Sequence, residues 1–177
     1  MKTHLSLVLI AALALAGCAG SSKSADVSVS VRRSLDDAGL RDVSVNQDRE
    51  KGIVTLGGHV SNEQDKARAE SLARPLAAGQ VVAMEVAVIP VGDEARAKAV
   101  NTDLDKGIEH NVDAALLRAH LHDSVKYEVI NAVVTLSGEV PSQAIRASAE
   151  DLATRVPNVK QVVNTLQVKG QKATSSN

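Results

Sequence analysis

The sequence predicts an α+β fold made of two tandem copies of one small module. Each copy has the order helix–strand–strand–helix–strand, with a three-stranded mixed sheet covered by two helices. The first observation behind this prediction is an internal match, since VTLGGHV at Val54–Val60 corresponds to VTLSGEV at Val134–Val140, 80 positions later. The same shift continues without gaps to residues 88 and 168. The second is the apolar period, which is two residues in these segments and three or four in the segments around them. Together they indicate a duplicated unit.

The first copy begins with a helix and a hairpin. The helix follows Asp26, a residue type that caps helix N-termini. Its apolar stripe is Val27, Val31, Leu35 and Ala38. Val43 and Val45 then alternate with polar residues, which is typical of a half-buried strand. Residues 48–52 are turn formers, and residues 53–60 form the second strand of the hairpin.

The second helix of each copy carries the same four-point stripe. We expect it to begin at Ser61, with Gln64 completing a capping box, and in the second copy at residues 141–142. The stripes are Ala69, Leu72, Ala73 and Leu76, and Ala149, Leu152, Ala153 and Val156. Final strands follow at residues 80–89 and 159–169. Because a parallel crossover is right-handed, each sheet is predicted to combine a hairpin with one crossover strand, with both helices on one face.

Gly58 and Gly138 occupy the apolar row of the second strand in each copy. A glycine in such a row usually marks the close approach of another backbone. We therefore interpret both as structural glycines, with the crossing helix as the neighbour they admit.

The N-terminus predicts export and lipidation. Residues 1–17 combine a basic start with a short apolar stretch, which is typical of a secretory signal peptide. The segment LAGC that ends at Cys18 resembles the lipobox of bacterial lipoproteins. That resemblance implies cleavage before Cys18 and acylation of its sulfur, and Ala19 at the next position favours the outer membrane, at its periplasmic face. Residues 18–25 are then a flexible lipidated tether.

The repeated strand and the helix and valine-rich strand after it resemble the BON domain, named for osmotically induced and nodulation proteins. The resemblance divides the chain into a first domain at residues 26–92, a linker at 93–102, a second domain at 103–170 and a disordered tail at 171–177. With a lipobox in front, the chain resembles the dual-BON outer-membrane lipoproteins of the DolP type and the OsmY-type periplasmic proteins. This implies a role in envelope integrity, with the second module contacting anionic phospholipid and no catalysis.

Composition and spacing argue against other classes. The formal net charge is −1, which does not favour nucleic acid as a partner, and Tyr127 is the one aromatic residue. His110, His120 and His122 lie close in sequence, and His120 and His122 could share a metal. Residues two apart on a helix face different directions, however, and no cysteine completes a metal site. We find no arrangement typical of an acid–base pair, a nucleophile or a phosphate loop. We therefore predict no cofactor, no metal and no enzymatic activity.

The first helix of the second copy, about residues 103–121, is the candidate contact element. If its core stripe is Leu104, Ile108, Val112, Ala115 and Ala119, Leu117 falls on the opposite side. Leu121 falls there too, beside Lys106 and His110, and Arg118 and Lys126 could add local positive charge. Two alternatives stay open. Lone surface leucines are common, and Leu121 corresponds to Leu40 and could pack inward where the helix ends. The contact itself would be with phospholipid, or alternatively with an envelope protein for which the chain acts as an adaptor.

Overall fold

The computed structural model describes residues 23–170. The predicted signal peptide, the lipidation site Cys18 and the predicted tail at 171–177 lie outside this range. The first module consists of α1 (Ser28–Asp37), β1 (Val43–Asp48), β2 (Ile53–Val60), α2 (Glu63–Leu76), β3 (Val81–Met84) and β4 (Ala87–Val88). The second consists of α3 (Glu94–Arg118), β5 (Val125–Ile130), β6 (Val133–Val140), α4 (Gln143–Thr154), β7 (Gln161–Asn164) and β8 (Gln167–Val168).

The predicted fold class and the mixed sheets are confirmed. In the first module β2 pairs with β1 antiparallel and with β3 parallel, so the strand order is β1-β2-β3. The second module repeats this as β5-β6-β7. The last strand of each copy is broken, since β4 and β8 are short segments that pair separately with β2 and β6. The long final strands expected from the valine pattern are therefore each interrupted, at residues 85–86 and 165–166, with the same register on both sides.

Each module has its own apolar core between one sheet face and two helices. The first is built on Val31, Leu35, Val54, Leu56, Ala69 and Ala73, and the second on Val112, Leu116, Val134, Leu136, Ala149 and Ala153. Ala69 and Ala73 of α2 and Ala149 and Ala153 of α4 are fully buried, while Leu72, Leu76 and Leu152 pack at the margins. Small residues at the centre of the stripe let the helices lie close to the sheet.

The helix starts differ slightly from prediction. Asn62, rather than Ser61, caps α2, since its side-chain oxygen accepts the Asp65 N–H at 2.8 Å. In α4 the predicted Ser142 is the cap and accepts the Ile145 N–H. In α1 the N-cap position is Val27, one residue after the predicted Asp26. The Asp26 carboxylate still accepts the Ser28 N–H, at 3.3 Å.

Gly58 and Gly138 do admit a close backbone, but it is not that of a helix. Their φ angles are +84° and +119°. A Cβ at Gly58 would lie 2.1 Å from the Asp42 carbonyl oxygen, and one at Gly138 would lie 2.4 Å from that of Ser124. The neighbour is the segment that enters β1 or β5. The expectation of a crossing helix was wrong because these glycines pair with Val43 and Val125, at the start of the neighbouring strand.

The predicted linker is largely helical. α3 is 25 residues long and begins at Glu94, so one helix runs through residues 94–102 into the second module. Its buried residues are Ile108, Val112 and Leu116. Leu104, predicted to belong to the core stripe, is 36% exposed. The apolar spacing thus extends one turn N-terminal to Ile108, where α3 no longer packs in the core of the second module.

The last residues of the predicted tether are bound to the first sheet. The Ser24 N–H donates to the Arg49 carbonyl at 2.9 Å, and the Arg49 Nε donates back to the Ser24 carbonyl at 2.8 Å. The Ala25 carbonyl accepts from the side-chain amides of Gln47 and Gln80. The flexible segment predicted for residues 18–25 therefore ends by Ser24.

The two modules pack through the sheet faces that point away from their own helices. Ile53 and Ala83 from the first module form a small buried cluster with Val133 and Val163 from the second. The Gln161 side chain extends this contact to the edge strand β3, where its Oε1 accepts the Met84 N–H at 2.9 Å and its Nε2 donates to the Val82 carbonyl at 2.8 Å. The side-chain amide of Gln161 thus makes the two hydrogen bonds that a neighbouring strand would make to β3. These bonds fix the position of β7 relative to β3.

Candidate contact face of the second module

Three of the predicted contact residues share one exposed face of α3. Lys106, His110 and Leu117 lie on the side opposite the buried stripe, and all three are exposed. Leu117 is 51% exposed, although leucine normally favours burial. Arg118, the next residue, is exposed at the helix C-terminus, where a cation interacts favourably with the helix dipole. Lys126 is exposed on β5, outside this helix. We call Lys106, His110, Leu117 and Arg118 the contact face.

Leu121 does not belong to the contact face. It is 9% exposed and packs in the core of the second module. α3 ends at Arg118, and His120 adopts a φ of +57°, which turns the chain back. The Leu121 N–H then donates to the Leu116 carbonyl and the His120 N–H to the Leu117 carbonyl, the pattern of a Schellman motif. The helical spacing that predicted an exposed Leu121 does not apply beyond the last helical residue, and the inward alternative was right.

A cluster around Asp113 holds the end of α3 to β5. The Tyr127 hydroxyl donates to Asp113 Oδ1 at 3.1 Å, and His122 Nδ1 lies 2.9 Å from the same oxygen. Burial of the ring, followed by the hydrogen bond to Asp113, raises the pKa of the Tyr127 hydroxyl. Asp113 and His122, which lie in the histidine-containing stretch for which a metal site was considered and not predicted, therefore have structural partners. Within residues 23–170, no group of three or more His, Cys, Asp or Glu is arranged to hold a metal ion.

The corresponding face of α1 is different. Superposing Val31 and Leu35 on Val112 and Leu116 brings Asp36 to the position of Leu117. Asp36 is paired with Arg32 at 2.6 Å, one turn earlier. The first module therefore presents an ion pair where the second presents an apolar side chain.

The residues that join the modules were not predicted from the sequence. Ile53-Val54 and Val133-Val134 are apolar doublets at strand starts, and such a doublet indicates a strand buried on both faces. That signal could have located the junction. No comparable signal marks Gln161, because a glutamine in a strand is ordinarily a solvent-facing residue.

The repeated unit shows which protein family the chain belongs to. The BON domain matches residues 22–90 and again residues 104–170. The chain belongs to the BON-domain family. Proteins of this family are generally non-catalytic, and among residues 23–170 no helix is both long and apolar enough to cross a bilayer.

Individual relatives are more distant. Osmotically-inducible protein Y of Escherichia coli K12 is 32% identical over 130 residues, which covers 72% of this chain and 62% of that protein. Among solved structures, two of CdsD, a structural protein of the type III secretion system of Chlamydia trachomatis, superpose with TM-scores of 0.33 and 0.32. They are 11% and 13% identical, cover 77% and 78% of this chain, and are themselves covered to 61% and 90%. At such TM-scores no functional likeness follows.

Proposed function

We propose that this BON protein is a lipid-anchored periplasmic protein that supports outer-membrane integrity by contacting phospholipid through the contact face. The observation that carries this is Leu117, an exposed leucine with Lys106 on the same helix face and Arg118 beside it. An apolar side chain next to a cation, here Arg118, suits the boundary between acyl chains and anionic headgroups. Lys106 adds a second cation about 16 Å away along the helix. The similarity to osmotically-inducible protein Y supports an envelope location, and the lipobox-like segment before Cys18 supports the anchor.

The contact is expected to be weak. One leucine contributes about 1.5–3 kcal/mol when fully buried, and each cation near an anionic surface contributes about 1 kcal/mol. Within the described range the face carries no aromatic residue, since Tyr127 lies on β5 and donates to Asp113. Such a face is useful when an anchor already holds the protein at the membrane.

The test is vesicle flotation of the chain from residue 18 onward carrying Cys18→Ser, which lacks both the apolar signal peptide and the predicted acylation site. We expect binding to phosphatidylglycerol vesicles above that to phosphatidylcholine vesicles, and a loss of about tenfold for Leu117→Asp, because a charge replaces the apolar side chain. Val29→Asp is the matched control. Val29 is 66% exposed on α1, so that variant should bind like the parent.

Equal indifference to both kinds of vesicle would contradict the lipid contact. The protein-adaptor alternative would then be the better one, and crosslinking in cells from Leu117 would search for the partner. Stability is the second readout, because exposed positions usually change the free energy of unfolding by less than about 0.5 kcal/mol. A large loss of stability in Leu117→Asp would show that the side chain is needed for folding.

A further inference from the structure

A cleft of about 120 Å³ lies between the modules, where the N-terminal half of α3 passes the start of α2. Its walls come from both copies, with Lys66 and Ala87 from the first and Leu104, Ala132 and Lys160 from the second. A single water needs only about 10–15 Å³ of such space, so the cleft has room for a small polar group. The cleft therefore exists only because the modules dock as they do.

Two lysines from different modules meet at this cleft. Lys66 is half-buried, and its Nζ donates to the Val86 carbonyl at 2.6 Å, which leaves two further N–H donors on the ammonium. Lys160 lies just before β7, and its side chain is 60% exposed. Burial lowers the pKa of Lys66, and the positive charge of Lys160 lowers it further. The negative charges of Glu63 and Glu70 act on the Lys66 pKa in the opposite sense, and both lysines line the same cleft.

Two carboxylates, Glu63 and Asp105, line the cleft with the two lysines, and the contacts that each carboxylate makes decide whether the ammonium groups can take a further anion. Glu63 Oε1 lies 4.0 Å from Lys160 Nζ, at the limit of an ion pair, and its side chain is 71% exposed. Both oxygens of Asp105 accept backbone N–H groups, from Asn131 and Ala132, each at 2.8 Å. Asp105 is therefore held on the hairpin turn instead of pairing with either lysine.

We propose that the cleft binds a phosphate group, with its anionic oxygens between the ammonium groups of Lys66 and Lys160. The half-buried side chain of Asn101 lines the same cleft and adds an amide donor. Leu104, 36% exposed, offers an apolar wall to whatever the phosphate carries. The phosphate could come from free phosphate in solution or from a lipid headgroup, since the recognising chemistry is the same.

This site is separate from the contact face. Leu104 and Leu117 are both on α3, but the helix rises roughly 20 Å between them. The phosphate site uses neither Leu117 nor Arg118. Leu117→Asp should therefore leave phosphate binding unchanged, so failure of the membrane proposal and failure of this one are distinguishable.

The experiment is calorimetric titration of the chain from residue 18 onward carrying Cys18→Ser with inorganic phosphate and, separately, with dihexanoyl phosphatidylglycerol below its micellar concentration. We expect saturable binding that Lys66→Gln and Lys160→Gln each weaken at least fivefold. Lys98→Gln is the matched control, because Lys98 is exposed on the same helix outside the cleft. Glu63→Gln should strengthen binding, since it removes the carboxylate that competes for Lys160.

Tighter binding of the short-chain lipid than of inorganic phosphate would assign the site to a headgroup, and equal binding would assign it to free phosphate. Either result supports a phosphate site. Absence of saturable binding by both probes, or an equal loss in Lys98→Gln, would overturn it. Because Lys66 also holds the Val86 carbonyl, the exposed Lys160→Gln is the variant that decides if Lys66→Gln folds poorly.

Discussion

The two modules share a framework but place opposite charges at the same point of it. Arg32 in α1 donates to the carbonyls of Leu40 and Val43, which ties the helix to the start of β1. The corresponding residue of α3 is Asp113, which accepts from Tyr127 and His122 instead. The junction of first helix and first strand is thus made once by a guanidinium and once by a carboxylate. Duplication has preserved the geometry of the joint and not its chemistry.

The hairpin turns show the same divergence. In the first module Asp48 accepts the N–H groups of Glu50 and Lys51, each at 3.0 Å, from within the turn. Partial burial acts to raise the pKa of Asp48, but these N–H donors and the charge of Lys51 lower it on balance. The second module has a two-residue turn at Asn131 and Ala132, both with positive φ, and its acceptor is Asp105 from α3. The first turn is thus stabilised by a carboxylate of its own hairpin, and the second by a carboxylate from a distant helix.

The strand glycines are the part of the framework that both copies need, and changing them should have the largest effect. Gly58→Ala places a Cβ 2.1 Å from the Asp42 carbonyl oxygen, and Gly138→Ala places one 2.4 Å from that of Ser124. We expect each to lower the free energy of unfolding by about 3 kcal/mol, measured by urea denaturation. Gly79→Ala separates clash from backbone strain, because its φ is +80° with nothing within 4 Å. It should cost about 1 kcal/mol, and an equal cost at Gly58 would contradict the close approach.

Asp105→Ala should be next in size. It removes the acceptor for two turn N–H groups, which we expect to cost about 1–2 kcal/mol. Hydrogen exchange of the Asn131 and Ala132 amides should rise, while the turn that follows Asp48 stays protected. Asp103→Ala, at an exposed position of α3, is the control. Unchanged exchange at the second turn would show that it needs no help from α3.

Glu85 tests the junction between the modules, with a smaller effect. Burial, followed by the negative charge of Glu128 in the second module, raises the pKa of Glu85. The folded state then binds this proton more tightly than the unfolded state, so ionisation of Glu85 opposes folding above its folded pKa, and the opposition is relieved as pH falls through it. We expect Glu85→Gln to stabilise the protein at pH 7 by less than about 1 kcal/mol, because the group is only half-buried.

The pH profile supplies the check on Glu85. Thermal denaturation of the parent should show a gain in stability on acidification, before general acid unfolding, that Glu85→Gln lacks. Parallel profiles for the two proteins would mean that the carboxylate carries no penalty at the junction.

His120→Gly should have the smallest effect. His120 holds a φ of +57° at the point where the first module has Gly39 with a φ of +80°. Glycine removes the steric cost of this conformation but adds entropy to the unfolded chain. We expect a net stabilisation of about 0.5 kcal/mol by chemical denaturation, and a destabilisation would show that the imidazole makes a favourable contact.

The strands and second helices of both modules were predictable because the sequence contains their pattern twice. The match between Val54–Val60 and Val134–Val140 predicted the strands, and the alanine-centred stripes predicted the second helices. Leu104 was misplaced because apolar spacing records helix periodicity and not where the helix leaves its core. Leu121 was misplaced because a histidine closes α3, so the glycine that marks the end of α1 has no counterpart.

The candidate site was predictable only as one side of a helix. Leu117 follows from the spacing, since Ile108, Val112 and Leu116 are buried. The cleft between the modules did not follow, because Lys66 and Lys160 lie far apart in sequence and meet only through the docking of the sheets. Charged residues that meet across a junction leave no local pattern, unlike the apolar doublets that mark the strands buried there.

Hydrogen bonds hold Ser24 and Ala25 to the first sheet. They therefore limit the distance between the first module and its predicted anchor at Cys18. Between Cys18 and Ser24 a fully extended chain spans at most about 20 Å. With Cys18 acylated, the contact face would stay within a short distance of the bilayer. The effective concentration of membrane at that face would therefore be high. Affinity too low to recruit the protein from solution would then suffice to orient it on the surface. Lengthening the tether would weaken that contact without altering a single residue that makes it.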